Sequence, residues 1–175
     1  LKLHLDGARI FNALVAKKQS ALEYGQLFHT ISVCLSKGLG CPVGSVLIGP
    51  TDFIKKARRI RKVLGGGMRQ AGYIAAAGIY ALRNHIDRLE EDHQHAQQLG
   101  ATLKSCSFVS RVLPVETNIV IFDVAENYTA PSLVAQLKEN DIWAYAISNS
   151  QVRLVTHLDV SRDMVAETIR IFKQL

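Results

Sequence analysis

The stretch Ser32-Val33-Cys34-Leu35-Ser36-Lys37-Gly38-Leu39-Gly40 decides the fold of this chain. Its first half continues an apolar, β-branched run and predicts a buried strand over residues 30–35. The two glycines of its second half predict that the chain then leaves the strand in a turn. Lys37 therefore lies where a buried strand ends, a poor place for a lysine whose only role is to meet solvent.

A carboxylate occupies a second predicted strand end. Residues 1–5 alternate as a strand, Asp6 follows them, and Gly7-Ala8-Arg9 comes next. A lysine amine forms a Schiff base with an aldehyde, and a carboxylate pairs with a pyridine nitrogen. These are the two groups that a pyridoxal phosphate site requires. The pair Asp6 and Lys37 thus predicts such a site, with a surface lysine and a helix N-cap aspartate as the simpler alternatives.

Hydrophobic spacing predicts an α/β order of elements along the whole chain. His93 and His95 are predicted to face solvent on a long helix, and Met164 to face the core beside Val165, on a last helix capped by Ser161. Further strands are predicted over 44–48, 117–124, 142–146 and 152–155, and helices over 10–15, 51–64, from 70, over 86–104, around 131–137 and from 162.

Composition limits the class of protein. The chain has 175 residues, 48% of them hydrophobic, which is enough for a sizeable core, and no apolar run long enough to span a bilayer. Its three cysteines are odd in number and lack CxxC spacing, which argues against a disulfide scaffold or a zinc site. We expect a reducing, cytoplasmic compartment. The chain opens without methionine inside a predicted strand, so we expect it to be part of a larger protein.

Much of the net charge of +6 lies in the run from Lys55 to Lys62. One interpretation is a patch that binds phosphate or nucleic acid. The other is the solvated face of an amphipathic helix whose apolar residues recur at helical spacing. No aromatic residues interleave with the basic ones, and this favours the amphipathic helix.

Four blocks in series resemble the threonine aldolases, a family of pyridoxal phosphate enzymes of fold type I. The blocks are HLDGARIFNA (4–13), SKGLGCPVGS (36–45), RKVLGGGMRQAG (61–72) and VRLVTH (152–157). The resemblance implies an α/β fold: the C-terminal part of a fold-type I large domain, with a mixed sheet and helices, over 1–85. A linking helix over 86–112 and a small α+β domain over 113–175 would follow.

The resemblance also implies roles for five residues. Lys37 would be the Schiff-base lysine and Asp6 the partner of the pyridine nitrogen. Arg9 would reach the cofactor's phenolic oxygen and the substrate carboxylate, and Arg153 would bind the same carboxylate. Arg69 would serve the cofactor phosphate, in its own or a neighbouring subunit. The alternatives are a rim salt bridge for Arg153 and a helix-breaking loop with a solvated Arg69. No metal is expected.

By this resemblance the chain belongs to a carbon–carbon lyase that cleaves L-threonine or L-allo-threonine to glycine and acetaldehyde. A homo-oligomer, a dimer of dimers, is implied, with an amino acid as substrate and neither nucleic acid nor membrane as partner. Another β-eliminating lyase of fold type I, or a non-catalytic interaction or nucleic-acid-binding domain, remains the alternative. The family's phosphate-cradling loop and ring-stacking residue precede the segment that matches here. We therefore leave the general base unassigned and expect the segment alone to bind cofactor poorly.

Overall fold

The computed structural model describes all 175 residues, which form two compact units, Leu1–Leu89 and Glu90–Leu175. The boundary falls within the segment predicted as a linking helix. The predicted assignment of 1–85, 86–112 and 113–175 as domains of a whole protein stays a prediction.

The first unit is built on a three-stranded mixed sheet, as predicted. Its strands are β1 (His4–Gly7), β2 (Thr30–Cys34) and β3 (Ser45–Ile48), in the order β1-β2-β3. Strands β1 and β2 run parallel, with Asp6 opposite Ser32, and β3 returns antiparallel, with Ser45 opposite Cys34. Strand β1 begins three residues later than predicted, so that Asp6 lies within its paired end instead of following it.

Gly7 is required by the close approach of β1 to β2. A Cβ atom at this position would lie 2.6 Å from the backbone carbonyl oxygen of Ser32. Any side chain would therefore push the two strands apart, because backbone atoms of a sheet have little freedom to move aside. The glycine that follows Asp6 in the sequence thus keeps the carboxylate close to β2.

Four helices complete the first unit, and one of them was missed by the sequence prediction. The missed helix is α2, which begins with a capping box. The Ser20 side chain accepts hydrogen bonds from backbone amides of the first helical turn, and the Glu23 side chain accepts one from the Ser20 amide. The Ser-x-x-Glu spacing was the available signal. The helices are α1 (Ile10–Lys17), α2 (Ala21–Leu27), α3 (Thr51–Val63) and α4 (Gly72–Asn84).

The core of the first unit lies between β2, the segment after it and α4. Helix α4 buries Gly78 and Ala81, whereas Ile79 and Leu82 are exposed. Helix α3 forms as predicted, but none of its residues is buried, so this chain covers its apolar side only in part. The buried core residues are Ile31, Val33, Leu35, Leu39, Cys41 and Ala81.

The second unit packs helices on one face of a four-stranded antiparallel sheet in the order β4-β5-β7-β6. Its strands are β4 (Val109–Val112), β5 (Ile119–Val124), β6 (Tyr145–Ala146) and β7 (Gln151–Val155), and its helices are α5 (Leu89–Leu103), which begins at the unit boundary, α6 (Ala130–Lys138) and α7 (Arg162–Phe172). Phe108 is fully buried and makes edge contacts with three other aromatic rings, those of Phe122, Tyr128 and Phe172. Apolar burial on this scale is the main stabilising contribution to the unit.

Several predictions in the second unit are wrong in detail. Strand β4 was missed, because a bulge between Val109 and Arg111 breaks the two-residue alternation on which strand prediction depends. Residues 142–146 pair only at Tyr145 and Ala146, since this edge strand meets β7 over two residues. Leu99 and Leu103 of α5 are buried in the core.

The burial of three side chains was also predicted wrongly. His93 and His95 are each 3% exposed instead of facing solvent, whereas Met164 is 53% exposed instead of facing the core. Histidine has intermediate polarity, and its place on a helix is decided by what packs against that face. Ser161 caps α7 as predicted, its hydroxyl oxygen accepting the Met164 amide at 3.2 Å.

Candidate active site

Lys37 begins a tight turn that directly follows β2. The backbone amide of Gly40 donates to the Lys37 carbonyl oxygen at 2.8 Å, and Gly40 adopts a left-handed φ of 69°. Leu35 ties the base of this loop, donating to the Gly44 carbonyl and accepting from the Cys41 amide. The Lys37 side chain is exposed and forms no ion pair within the chain, so its amine is available to react.

The turn is enclosed by neighbouring elements. Gly38 is buried, and a Cβ atom there would lie 3.0 Å from Leu89 Cδ2 and 3.1 Å from Asn12 Oδ1. The Leu39 side chain is 3% exposed, and its carbonyl oxygen accepts a hydrogen bond from His85 Nδ1 at 2.7 Å. A glycine and a buried leucine thus bring the backbone next to Lys37 into close packing while the lysine side chain stays outside.

Asp6 and Lys37 lie at the same edge of the sheet. The carboxyl ends of parallel strands meet at one edge: Asp6 is paired with Ser32 near the end of β1, and Lys37 follows the end of β2 by three residues. Cys34, the last residue of β2, shares the face of Ser32. Partial burial raises the pKa of the Cys34 thiol, but hydrogen bonds from Ser36 and Ser45 and the charge of Lys37 outweigh it, so the pKa is below its usual value.

The Asp6 carboxylate is not the N-cap of helix α1. Its Oδ1 accepts the Ala8 amide at 3.2 Å, and the N-cap residue is Arg9, without a capping side chain. Arg9 lies three residues after Asp6. Its side chain is half-buried, and its Nε atom is shielded from solvent. The DGAR block thus places a carboxylate and a guanidinium at one strand–helix junction.

Arg69 lies in an exposed loop and makes no hydrogen bond or ion pair. The glycines before it end helix α3 with a Schellman motif. Gly65 takes a φ of 84° and donates to Lys62, while Gly66 donates to Arg61. The conformation of these two glycines is thus explained by the helix end, and the structure brings no other predicted site residue to Arg69.

Arg153 lies on β7 in the second unit, on the sheet face opposite the helices. Its strand neighbours there are Ile121 and Tyr145, and its Nε is buried without a hydrogen-bond partner in the chain. Buried guanidinium nitrogens normally have partners. The predicted rim salt bridge is absent, and the arrangement suits an anion that the chain itself does not supply.

The larger part of the chain matches a known protein family. A model of the family described as beta-eliminating lyase matches residues 1–127, which include β1, the Lys37 turn and the Arg69 loop. The chain belongs to the beta-eliminating lyase family. It is 48% identical over 167 residues to the low specificity L-threonine aldolase of Escherichia coli K12, and 40% identical over 177 residues to low-specificity L-threonine aldolase 1 of Arabidopsis thaliana.

The chain spans about half the length of these curated relatives. The E. coli alignment covers 95% of the chain and 49% of the relative, and the Arabidopsis alignment covers 99% and 49%. The predicted family resemblance is therefore confirmed for the segment in hand.

Solved structures confirm the predicted fold. Threonine aldolase from Leishmania major superposes with a TM-score of 0.79 at 22% identity, covering 99% of this chain and 52% of that chain. Ornithine delta-aminotransferase from Plasmodium falciparum superposes with a TM-score of 0.66 at 16% identity, covering 98% and 45%. At these identities the likeness concerns the fold, which is the α/β fold type I predicted above.

Two kinds of structural feature are absent from this chain. None of its helices has the length and apolar character needed to cross a membrane. No three histidine, cysteine or acidic side chains are grouped so that they could hold a metal ion.

Sequence reasoning missed two polar side chains beside the Lys37 turn. Asn12 lies within the first matching block, and the resemblance implies no role for it, although it is only 3% exposed. A polar residue at a buried position of a short helix was the available signal. His85 directly follows helix α4 and belongs to no periodic pattern. Its contact with Leu39 spans 46 residues of sequence, so no local pattern indicates it.

Proposed function

We propose that this chain is the lysine-bearing part of a pyridoxal phosphate-dependent lyase. The reaction is cleavage of L-threonine or L-allo-threonine to glycine and acetaldehyde. One observation carries the proposal: Asp6, near the end of β1, and Lys37, just after β2, lie at the same edge of two neighbouring parallel strands. The names of the E. coli and Arabidopsis relatives support the choice of substrate.

The residues present fit the cofactor. An exposed amine without an ion-pair partner suits a covalent link to an aldehyde, and a carboxylate at the same edge suits a protonated ring nitrogen. The Nε of Arg153, which is buried without a hydrogen-bond partner, suits an anion. Pyridoxal phosphate supplies an electron-accepting ring that stabilises the carbanion left when the Cα–Cβ bond breaks.

In this proposal Lys37 would hold the cofactor covalently through its amine. Asp6 would keep the proton on the ring nitrogen by accepting a hydrogen bond from it. The Ala8 amide already orients the Asp6 carboxylate, so one carboxylate oxygen is held in place by the chain itself.

The arginines bind anions in this proposal. Arg153 and Arg9 bind the substrate carboxylate, and Arg9 also reaches the phenolic oxygen of the cofactor. Two parallel bonds from a guanidinium fix the plane of a carboxylate, and this orients the bond to be broken. Arg69 binds the cofactor phosphate. The residue that removes the β-hydroxyl proton is left unassigned.

The first test is the covalent link. Pyridoxal phosphate added to the protein that carries this chain should give a visible absorbance band. Borohydride reduction should then fix the label on the peptide that contains Lys37. Lys37→Ala should abolish band and label, whereas the control Lys56→Ala, an exposed lysine of α3, should keep both. A label on any other lysine would overturn the proposed site.

The second test is the product. Acetaldehyde with glycine would support the aldolase reaction, whereas ammonia with a keto acid would assign the chain to a β-eliminating lyase of another kind. Arg153→Gln should raise KM for threonine by about 10- to 100-fold, since a hydrogen bond to a charged group contributes about 1.5–3 kcal/mol. Arg111→Gln, an exposed arginine on the same sheet, is the matched control.

We also propose that the protein is a homo-oligomer, a dimer of dimers, and acts in the cytoplasm. Exposed large apolar residues at the end of α3 and the start of α4 support association: Val63, Leu64 and Tyr73 are each more than three-quarters exposed. The three free cysteines are consistent with a reducing compartment. Sedimentation equilibrium of the whole protein tests the assembly, and a monomer at micromolar concentration would contradict it.

A further inference from the structure

A side chain at the end of helix α4 contacts the backbone that carries Lys37. His85, the C-cap residue of α4, places its Nδ1 2.7 Å from the carbonyl oxygen of Leu39, two residues after the lysine. A carbonyl can only accept, so Nδ1 carries the proton in this hydrogen bond. The ring of Tyr80 meets the imidazole edge-on, with the ring centroids 5.4 Å apart.

Other contacts also hold this part of the turn, whereas the hydrogen bond to the Leu39 carbonyl comes from His85. The Lys37 carbonyl accepts the Gly40 amide within the turn itself, and Gly38 packs against Asn12 and Leu89. Cys41 Sγ donates to the Ala77 carbonyl of α4 at 3.7 Å. Leu39 is buried, so its carbonyl cannot turn to bulk water if the imidazole is removed. Movement at Leu39 would be passed to Lys37 directly, because the turn's own hydrogen bond joins Lys37 to Gly40.

We infer that His85 is a positioning residue for the Schiff-base lysine: its imidazole fixes the Leu39 carbonyl and thereby the backbone position of Lys37. The inference rests on the proposed function of Lys37. It assigns His85 no contact with substrate or cofactor. The contact requires only an N–H at the position of Nδ1, so a side-chain amide with its nitrogen in the same place should replace the imidazole.

The test compares His85→Leu with His85→Asn, whose amide nitrogen takes the position of Nδ1. Tyr80→Leu, which removes the ring contact but keeps the Leu39 bond, is the matched control. Hydrogen exchange of the Gly40 and Cys41 amides reports on the turn without cofactor. In the holoenzyme, kcat, KM and the pH midpoint of the visible band of lysine-bound pyridoxal phosphate report on the lysine.

We expect His85→Leu to speed hydrogen exchange at the Gly40 amide and to shift the pH midpoint of the visible band. It should also lower kcat by about 10-fold or more with KM nearly unchanged, because small displacements of a reacting group have effects of this size. His85→Asn should restore all three. Unchanged exchange and kcat in His85→Leu would overturn the inference, and so would faster exchange with an unaltered kcat and band, which indicates a purely structural role. A wild-type enzyme with no band would refute the proposed function instead, together with any positioning role that depends on it.

Discussion

Replacing Gly7 by alanine is the sharpest test of how the sheet holds Asp6. The added Cβ would lie 2.6 Å from the Ser32 carbonyl oxygen, whereas Cβ atoms in folded proteins essentially never come within 3.0 Å of such an atom. Both partners are backbone atoms of paired strands, so no flexible side chain can move aside. Either the β1–β2 hydrogen bonds lengthen or the strand end carrying Asp6 is displaced.

The expected cost follows from overpacking in a close-packed interior. Such substitutions lower the free energy of unfolding by about 1–3 kcal/mol. For a unit of this size, that loss lowers the melting temperature by about 4 °C or more. The effect should be confined to the first unit, because the clash lies within its sheet.

Gly25→Ala is the matched control for this change. Gly25 lies in α2 with no atom within 4 Å of its added Cβ, so alanine should stabilise the helix by about 0.5–1 kcal/mol. The two substitutions add the same methyl group, yet opposite signs are expected.

Circular dichroism during heating measures the two changes in stability, and hydrogen exchange at Ile31 and Val33 localises them to β2. Gly7→Ala should also weaken pyridoxal phosphate binding, since the Asp6 carboxylate moves with its strand. A Gly7→Ala protein that melts at the wild-type temperature would refute this account of the DGAR block.

Three further outcomes are expected. Hydrogen bonds from Gln151 and Arg111 hold the pKa of Asp123 below its usual value. The ionised carboxylate therefore contributes to stability above pH about 3.9, and this contribution is lost as the pH falls further. Asp123→Asn should lack this part of the pH dependence in acid unfolding. Burial lowers the pKa of His93, so the folded protein resists its protonation and stability should fall as pH drops below about 6.5, a slope that His93→Gln should flatten. Ser161→Ala should lower the free energy of unfolding of the second unit by about 1 kcal/mol in urea titrations. An unchanged free energy of unfolding in this variant would contradict the assignment of Ser161 as the helix cap.

The elements of the candidate site were predictable because residues close to each of them in the sequence indicate where it begins or ends. A β-branched run followed by glycines locates the end of β2 and the turn at Lys37, and the same logic locates Asp6. Helix α2 was equally predictable from its capping box. What failed was the burial of helix faces: His93 and His95 are enclosed, while α3 has no buried residue. A helical period gives the apolar stripe but not which other elements cover it.

The amino-acid sequence alone determined that a lysine and an aspartate each stand where a strand ends, because strand period and turn residues are properties of neighbours along the chain. Only the tertiary structure decided that these two strands run parallel side by side, which brings the carboxylate and the amine to one edge. The same holds for the narrow passage that admits only a glycine at position 7, and for the imidazole that reaches Leu39 across 46 residues. Such contacts join segments far apart in sequence, and they form only when the hydrophobic core draws those segments together.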